Sequence, residues 1–396
     1  MTTRLLPNPL VRAAPSALPP DHAPYAFHCR FPGYAPTPLT EMAALASALG
    51  IGRIWVKDES SRLGLPSFKI LGASWATYRA LTDRLAMPGA SLDDLRATLT
   101  TRPPMTLATA TDGNHGRAVA RMAQLFGCRA HVLVPAGTAH ERIRAIAGEG
   151  ATVTVIDGTY DEAVAQAATE AGPDCLVISD TSWPGYEAVP RWITEGYGTI
   201  FTEADAQLGS ERPDLVVVQI GVGSLATAVV RHYRPTGARI VGVEPLSAAC
   251  MLASVEAGRI MEVPGPHTSI MAGLNCGIPS LLAWPVVSTG VDLFVAIEDE
   301  RAREAMRRMR EAGIVAGETG AAGVGGLLAL LTGPDAARVR DLLAIDQSTQ
   351  VLCLSTEGAT DPTAYAHIVG HTPETGENRR DAEDAEGRRE IQEMRM

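Results

Sequence analysis

The sequence predicts an α/β protein built from two open twisted sheets with helices on both faces. Three observations carry that prediction. Nine short β-branched runs alternate with stretches of helical periodicity. Most of the runs are apolar at nearly every position, as strands covered on both faces are. Glycine recurs just past the last periodic residue of the helices, where a helix stops. Nine strands exceed one comfortable sheet, so two sheets and two domains follow.

In chain order the expected strands are Ile54–Lys57, Thr106–Thr109, His131–Val134, Thr152–Ile156, Cys175–Ser179, Leu215–Ile220, Arg239–Glu244, Leu293–Ile297 and Val351–Leu354. Between them, Ala118–Phe126 ends at Gly127, Asp161–Glu170 at Gly172 and Asp299–Glu311 at Gly313, each with helical spacing. The first 25 residues are rich in proline and alanine and read as an extended arm packed on the body. The densely charged segment from His371 onward reads as a solvated tail with no core of its own.

Composition removes several classes of function. With 396 residues, 46% apolar and 20% charged, the chain can bury a sizeable core. A net charge of −11 argues against a nucleic-acid or anionic-membrane partner. The most apolar long stretch, Ala312 to Thr332, carries Glu318 within it, so no membrane span is expected. Prolines interrupt the N-terminus where a signal peptide needs an unbroken apolar run, which favours the cytoplasm. The six cysteines form no CxxC pair and the nine histidines no HExxH, so no metal site is expected. Cys250 and Cys276 are the pair nearest to a disulfide, and free thiols are the expectation for a cytosolic enzyme.

One count is sharper. Of 34 basic residues only Lys57 and Lys69 are lysines. Arginine replaces lysine on a surface but not where a deprotonated amine is required, since its pKa stays above about 12. Lys57 is followed by Asp58 and Glu59 and reads as a paired structural charge. Lys69 opens a helical stretch among Phe68, Ile70 and Leu71. The positive end of the helix dipole and apolar neighbours disfavour its charged form and suit a Schiff-base amine.

Further segments stand where strands give way to helices. Thr111-Asp112-Gly113-Asn114-His115-Gly116 joins a strand to a helix, and N–H groups between two glycines make an anion cradle. Asp112 is out of place there unless it serves another group. Gly221-Val222-Gly223-Ser224 is a second cradle. With Ala226 in the sixth place and Glu244 ending the next strand, it also fits a dinucleotide fingerprint, which keeps a nicotinamide- or flavin-dependent oxidoreductase as a rival. Ser355-Thr356-Glu357-Gly358, Asp180-Thr181-Ser182-Trp183 and Gly317-Glu318-Thr319-Gly320 complete the set. Ligands of open α/β sheets sit outside the carboxyl ends of the strands, where most of these segments fall.

Seven segments together resemble the fold-type II pyridoxal-phosphate enzymes, the family of threonine dehydratase, serine racemase and cysteine synthase. They are FPGYAPTPL (31–39), KDESSRLGLPSFKILGASWA (57–76), ATDGNHGRAVA (110–120), SDTSWPGY (179–186), GVGSLA (221–226), AGLNCGIPS (272–280) and STEGATDP (355–362). The resemblance covers residues 27 to 365 and implies a fold of the tryptophan synthase β type. It divides the chain into a large cofactor domain (1–95 and 206–370), a small substrate domain (96–205) and the tail (371–396).

By the same resemblance Lys69 bonds pyridoxal 5'-phosphate covalently beside Phe68, while Gly221, Val222, Gly223 and Ser224 hold its phosphate. Asn114 would meet the phenolic oxygen, Ser355 the pyridine nitrogen, and Thr111 with Gly113 and His115 the substrate carboxylate. Within the family the diaminopropionate ammonia-lyases resemble the chain most, and the two aspartates carry that likeness. Dehydratases of the fold usually have a small residue where Asp112 stands, whereas Asp112 with Asp180 would recognise a cationic β-amino group. The implied reaction is elimination of ammonia from 2,3-diaminopropionate, on either enantiomer, by a homodimer acting on a small amino acid. A serine or threonine dehydratase, or another β-eliminating or β-replacing enzyme of the fold, is the alternative. Pro66, Ser67, Ile70 and Trp75 depart from the family pattern and concern the shape of the pocket.

Overall fold

Strands that are apolar on both faces need cover on both sides, and the two sheets provide for it. A computed structural model describes residues 2–12, 21–111 and 113–373. Among these residues the strands are β1 (Thr3–Pro7), β2 (Leu39–Glu41), β3 (Arg53–Asp58), β4 (Thr106–Ala110), β5 (Arg129–Pro135), β6 (Thr152–Ile156), β7 (Cys175–Val177), β8 (Leu215–Gln219), β9 (Arg239–Pro245), β10 (Leu293–Ile297) and β11 (Gln350–Ser355). Each of the nine runs expected from sequence forms a strand. The charged segment from residue 374 onward lies outside the described residues.

Seven strands make one sheet in the order β1-β10-β9-β8-β11-β3-β2, and four make another in the order β6-β5-β4-β7. All neighbours are parallel except the two edge strands of the larger sheet. The smaller sheet is parallel throughout. Part of the proline-rich arm proves to be a strand, since β1 adds to β10 with Thr3 opposite Ile297. Every residue of β8 and β10 is buried. Alternate residues feed two cores: Val216, Val218, Leu352 and Leu354 face one layer of helices, and Val217, Val241, Val243 and Cys353 the other.

The glycine-rich stretch around residues 312–332 resolves into the buried helix Ala322–Thr332 of 11 residues. Among the described residues no helix is long and apolar enough to cross a membrane. The helix Lys69–Arg84 lies against the long helix Ala188–Leu208, and two glycines set the crossing. A Cβ on Gly196 would sit 2.5 Å from the Leu71 carbonyl oxygen, and one on Gly72 would sit 2.6 Å from the Tyr197 ring. Backbones this close tolerate no side chain, so the first turn of the Lys69 helix is pinned where it crosses its neighbour.

The second lysine is also accounted for. Lys57 Nζ lies 2.8 Å from Glu203, and Arg62 pairs with both Glu203 and Glu59 at 2.6 Å. Lys57, Glu59, Arg62 and Glu203 are all buried. The structural reading of Lys57 holds, with Glu203 of the long helix as its partner in place of the adjacent Asp58.

Candidate active site

The loops that leave the carboxyl ends of β3, β4, β7, β8 and β11 converge on one cleft between the sheets. Phe68, Lys69, Thr111, Asn114, His115 and Asp180 line it, as do Gly221, Val222, Gly223 and Ser224. Residues up to 289 positions apart in sequence, Phe68 and Glu357, thus share one space, on the side of the sheets where open α/β folds bind ligands. Asp112 lies outside the described residues.

Lys69 begins its helix directly after Phe68, and its Nζ is 5.6 Å from the centre of the Phe68 ring. That ring packs on Tyr197 with centroids 4.7 Å apart. Nζ also lies 2.5 Å from Oδ2 of Asp180, which follows β7 of the other sheet. Asp180 is held on three sides, since Tyr160 Oη donates to its Oδ1 at 3.2 Å and Ser224 Oγ donates to its carbonyl at 2.6 Å. Burial would raise the Asp180 carboxyl, but the charge of Lys69, then His115, and hydrogen bonds from Lys69 and Tyr160 hold it well below the usual carboxylate range. Asp180 is therefore an anion, buried, with its charge directed at Lys69.

The 111–116 loop is braced from within. Thr111 Oγ1 accepts the N–H groups of Gly113 and Gly116 at 2.9 and 3.1 Å. A Cβ on Gly116 would strike the Thr111 methyl at 2.4 Å. The Gly113 N–H is consequently spent inside the loop, which corrects its expected role toward a substrate carboxylate. Helix Asn114–Phe126 starts here, so the N–H groups of Asn114 and His115 have no intrahelical acceptor and can serve an anion. His115 Nε2 lies 2.7 Å from the Ile178 carbonyl, which accepts only, so the proton is on Nε2.

The second cradle opens the ten-residue helix Ser224–Tyr233, with Gly223 at φ +102° before its first turn. A Cβ on Gly223 would lie 2.7 Å from that of Ala283 and 3.0 Å from Met251 Cε. Gly223→Ala is therefore expected to cost about 1–3 kcal/mol of stability, read as a lowered midpoint of thermal unfolding. Ser224 differs from expectation in one respect: its hydroxyl is committed to Asp180, leaving its N–H for a phosphate.

Two expectations are corrected. Ser355 is the last residue of β11, is fully buried and does not line the cleft; Thr356 does. Successive strand residues face opposite ways, so the hydroxyl presented to the cleft comes one residue later. Thr356 Oγ1 accepts from Gln219 Nε2 at 3.0 Å, which leaves its own proton for a ligand. Glu244, the ribose-binding acid of the oxidoreductase reading, is fully buried. It accepts the N–H groups of Met251 and Leu252 at 2.8 Å each, and burial pushes its carboxyl up to about 8. It caps the helix Cys250–Ala257 and has no access to a dinucleotide. Cys250 and Cys276 are buried thiols, Cys276 at the cleft wall. Among the described residues no cluster of His, Cys, Asp and Glu could hold a metal ion.

Sequence reasoning assigned no role to Tyr160, Gln219, Thr319, Thr356 or Glu357, all of which line the cleft. Glu357 and Thr356 stood inside a segment singled out for its motif, and Tyr160 had no local signal. The chain is similar to known proteins. A family model described as pyridoxal-phosphate dependent enzyme matches residues 30–340. The diaminopropionate ammonia-lyase of Escherichia coli (strain K12) is 38% identical over 359 residues, 87% of this chain and 89% of its own length. That of Salmonella typhimurium is 37% identical over 371 residues, 88% and 91% of the two chains. The crystal structure of the E. coli enzyme in complex with D-serine matches at a TM-score of 0.86 and 34% identity, over 93% of this chain and 97% of that one. With these likenesses beside the geometry, the chain belongs to the pyridoxal-phosphate-dependent enzymes.

Proposed function

We propose that the chain is a diaminopropionate ammonia-lyase, which eliminates the β-amino group of 2,3-diaminopropionate and releases pyruvate and ammonia. The observation that carries this reading is the buried, ionised Asp180 beside Lys69. A substrate with a second, cationic amino group finds its counter-charge there, whereas a β-hydroxyl needs none. The two relatives at 37–38% identity are named for this activity, and the E. coli enzyme is also known with an aminoacrylate-PLP azomethine intermediate.

The residues present fit pyridoxal 5'-phosphate. Lys69 supplies the amine, and the start of the Ser224 helix with Gly221–Gly223 would hold the phosphate. Asn114 would offer an amide N–H to the ring oxygen and Thr356 a hydroxyl proton to the ring nitrogen. When bound, the cofactor supplies an electron sink for charge developing at the substrate's α-carbon. Lys69 Nζ takes the α-proton from its face of the substrate. The proton stays on Nζ, where Asp180 Oδ2 lies within hydrogen-bond reach. The same carboxylate orients the cationic β-amino group, which departs as neutral ammonia and needs no added proton, and Tyr160 Oη keeps the carboxylate in place. The N–H groups of Asn114 and His115, with the Thr111 hydroxyl, orient the substrate carboxylate. By the family likeness, Asp112 would serve the D-enantiomer. The family likeness extends this reading to a homodimer in the cytoplasm; sedimentation equilibrium decides the first.

Pyruvate release from each enantiomer of diaminopropionate, against L-serine and L-threonine, tests the reading. The diamine is expected to be strongly preferred. Asp112→Asn should lose the D-form selectively, and Asp180→Asn should lower turnover of both forms about 10²–10⁴-fold. Preference for hydroxyamino acids would make the chain a dehydratase of the same fold.

A further inference from the structure

We infer that Glu357 is a positioning residue that fixes the Asn114 amide and ties the helix carrying it to the strand of chain that delivers Lys69. The inference rests on the cofactor reading above and concerns how the two halves of the cleft are kept in register.

Glu357 follows β11 and is buried at the cleft wall. Its backbone forms an antiparallel bridge with Ser67, two residues before Lys69. On either side of that bridge the Phe68 N–H donates to the Thr356 carbonyl at 3.2 Å and the Gly358 N–H donates to the Pro66 carbonyl at 2.9 Å. Segments 66–68 and 356–358 therefore run as one short ladder into the first turn of the Lys69 helix. Proline at position 66 costs nothing in this arrangement, because it is the carbonyl of that residue which is used.

The side chain reaches elsewhere. Oε1 accepts the Thr319 N–H at 3.1 Å, and Oε2 accepts Nδ2 of Asn114, which starts the helix after β4 of the smaller sheet. Gly317 and Gly320 let the backbone of that loop close over Glu357: a Cβ on Gly320 would lie 2.4 Å from the Glu357 carbonyl oxygen. A carboxylate can only accept, so the Asn114 amide is forced to present nitrogen to it. One N–H is thereby occupied, and the other is left with a set direction in the cleft. Glu357 thus joins, through its backbone, the Lys69 ladder and, through its carboxylate, the 317–320 loop and the smaller sheet. The neighbouring Glu318 is pushed up to about 7, by burial first and then by the negative charge of Glu357.

The test is a double-mutant cycle on the full chain using Glu357→Gln and Asn114→Ala, with two readouts. One is cofactor affinity, from titration of the cofactor-free protein with pyridoxal 5'-phosphate; the other is the position of the visible absorption band. Glu357→Gln replaces one acceptor by a donor facing a donor, so affinity is expected to fall about 10- to 100-fold and the band to shift. Asn114→Ala should do the same, and the double variant should be little worse than either single one. Glu357→Asp, which keeps the charge one methylene shorter, should shift the band in the same direction and carries the test if the Gln variant does not fold. An unshifted band, or effects of the two substitutions that simply add, overturns the inference. A wild-type chain that takes up no cofactor would instead defeat the reading on which it rests.

Discussion

Lys69→Ala is expected to lower turnover at least about ten-thousandfold, the upper end of what one positioned proton-transfer group contributes. Nothing nearby can replace it. The chain's other lysine is buried against Glu203, and an arginine brought to the cleft would not deprotonate. Lys69→Arg separates two roles. It can keep a cation against Asp180, and so keep that carboxylate low, while offering no amine for covalent attachment or proton removal. Both variants are therefore expected to lose the cofactor on dialysis and to show no covalent label after borohydride treatment in the presence of pyridoxal 5'-phosphate. Alanine should also leave Asp180 with Tyr160 as its remaining side-chain donor and raise its carboxyl. Measurable turnover, or a borohydride-fixed label, in Lys69→Ala would place the amine elsewhere.

Glu203→Leu is expected to destabilise the fold by about 3–5 kcal/mol, because it leaves buried cations without their anion. Glu203 takes two bonds from Arg62, at 2.6 and 2.7 Å, and one from Lys57 at 2.8 Å. It also accepts from Tyr34 and from the Thr37 N–H. With it removed, Glu59 alone faces two cations. The exposed pair Arg4–Glu256 gives the contrast, since severing it should cost under about 1 kcal/mol. The same site predicts an acid dependence. Burial acts to raise the Glu203 carboxyl, but Arg62 and then Lys57 bring it from the usual 4.5 down to about 2. A carboxylate lowered on folding stabilises fully above its unfolded value, so this contribution is present above about 4.5 and is lost as the pH falls toward 2. Urea unfolding at neutral pH and at pH 3 reads both effects; an unchanged midpoint for Glu203→Leu would refute the account.

The sheets were legible because β8, β9, β10 and β11 are apolar on both faces, and such runs bounded by glycine admit few other readings. β1 and β2 were not, being edge strands, one with a proline and one three residues long, whose pairing depends on the sheet they join. Ser355 was misplaced for a reason internal to strands: a one-residue error in where β11 ends turns the side chain to the opposite face. Glu244 shows a different limit. A carboxylate at the end of a second strand can meet a ribose or the N–H groups of a following helix, and only the 250–257 helix decides between them. The contact between Lys69 and Asp180 spans 111 residues and two sheets, and no local pattern could announce it.

The scarcity of lysine has a practical side. Both ε-amines are held in ion pairs, Lys57 with no exposed side chain and Lys69 with 20% of its own, so the outer surface carries none. Succinimidyl dyes, biotinylating esters and aldehyde cross-linkers find no ε-amino group there to react with. Any amine reagent small enough to enter the cleft becomes a titrant for a single side chain, and inactivation by it should follow one-site kinetics protected by substrate.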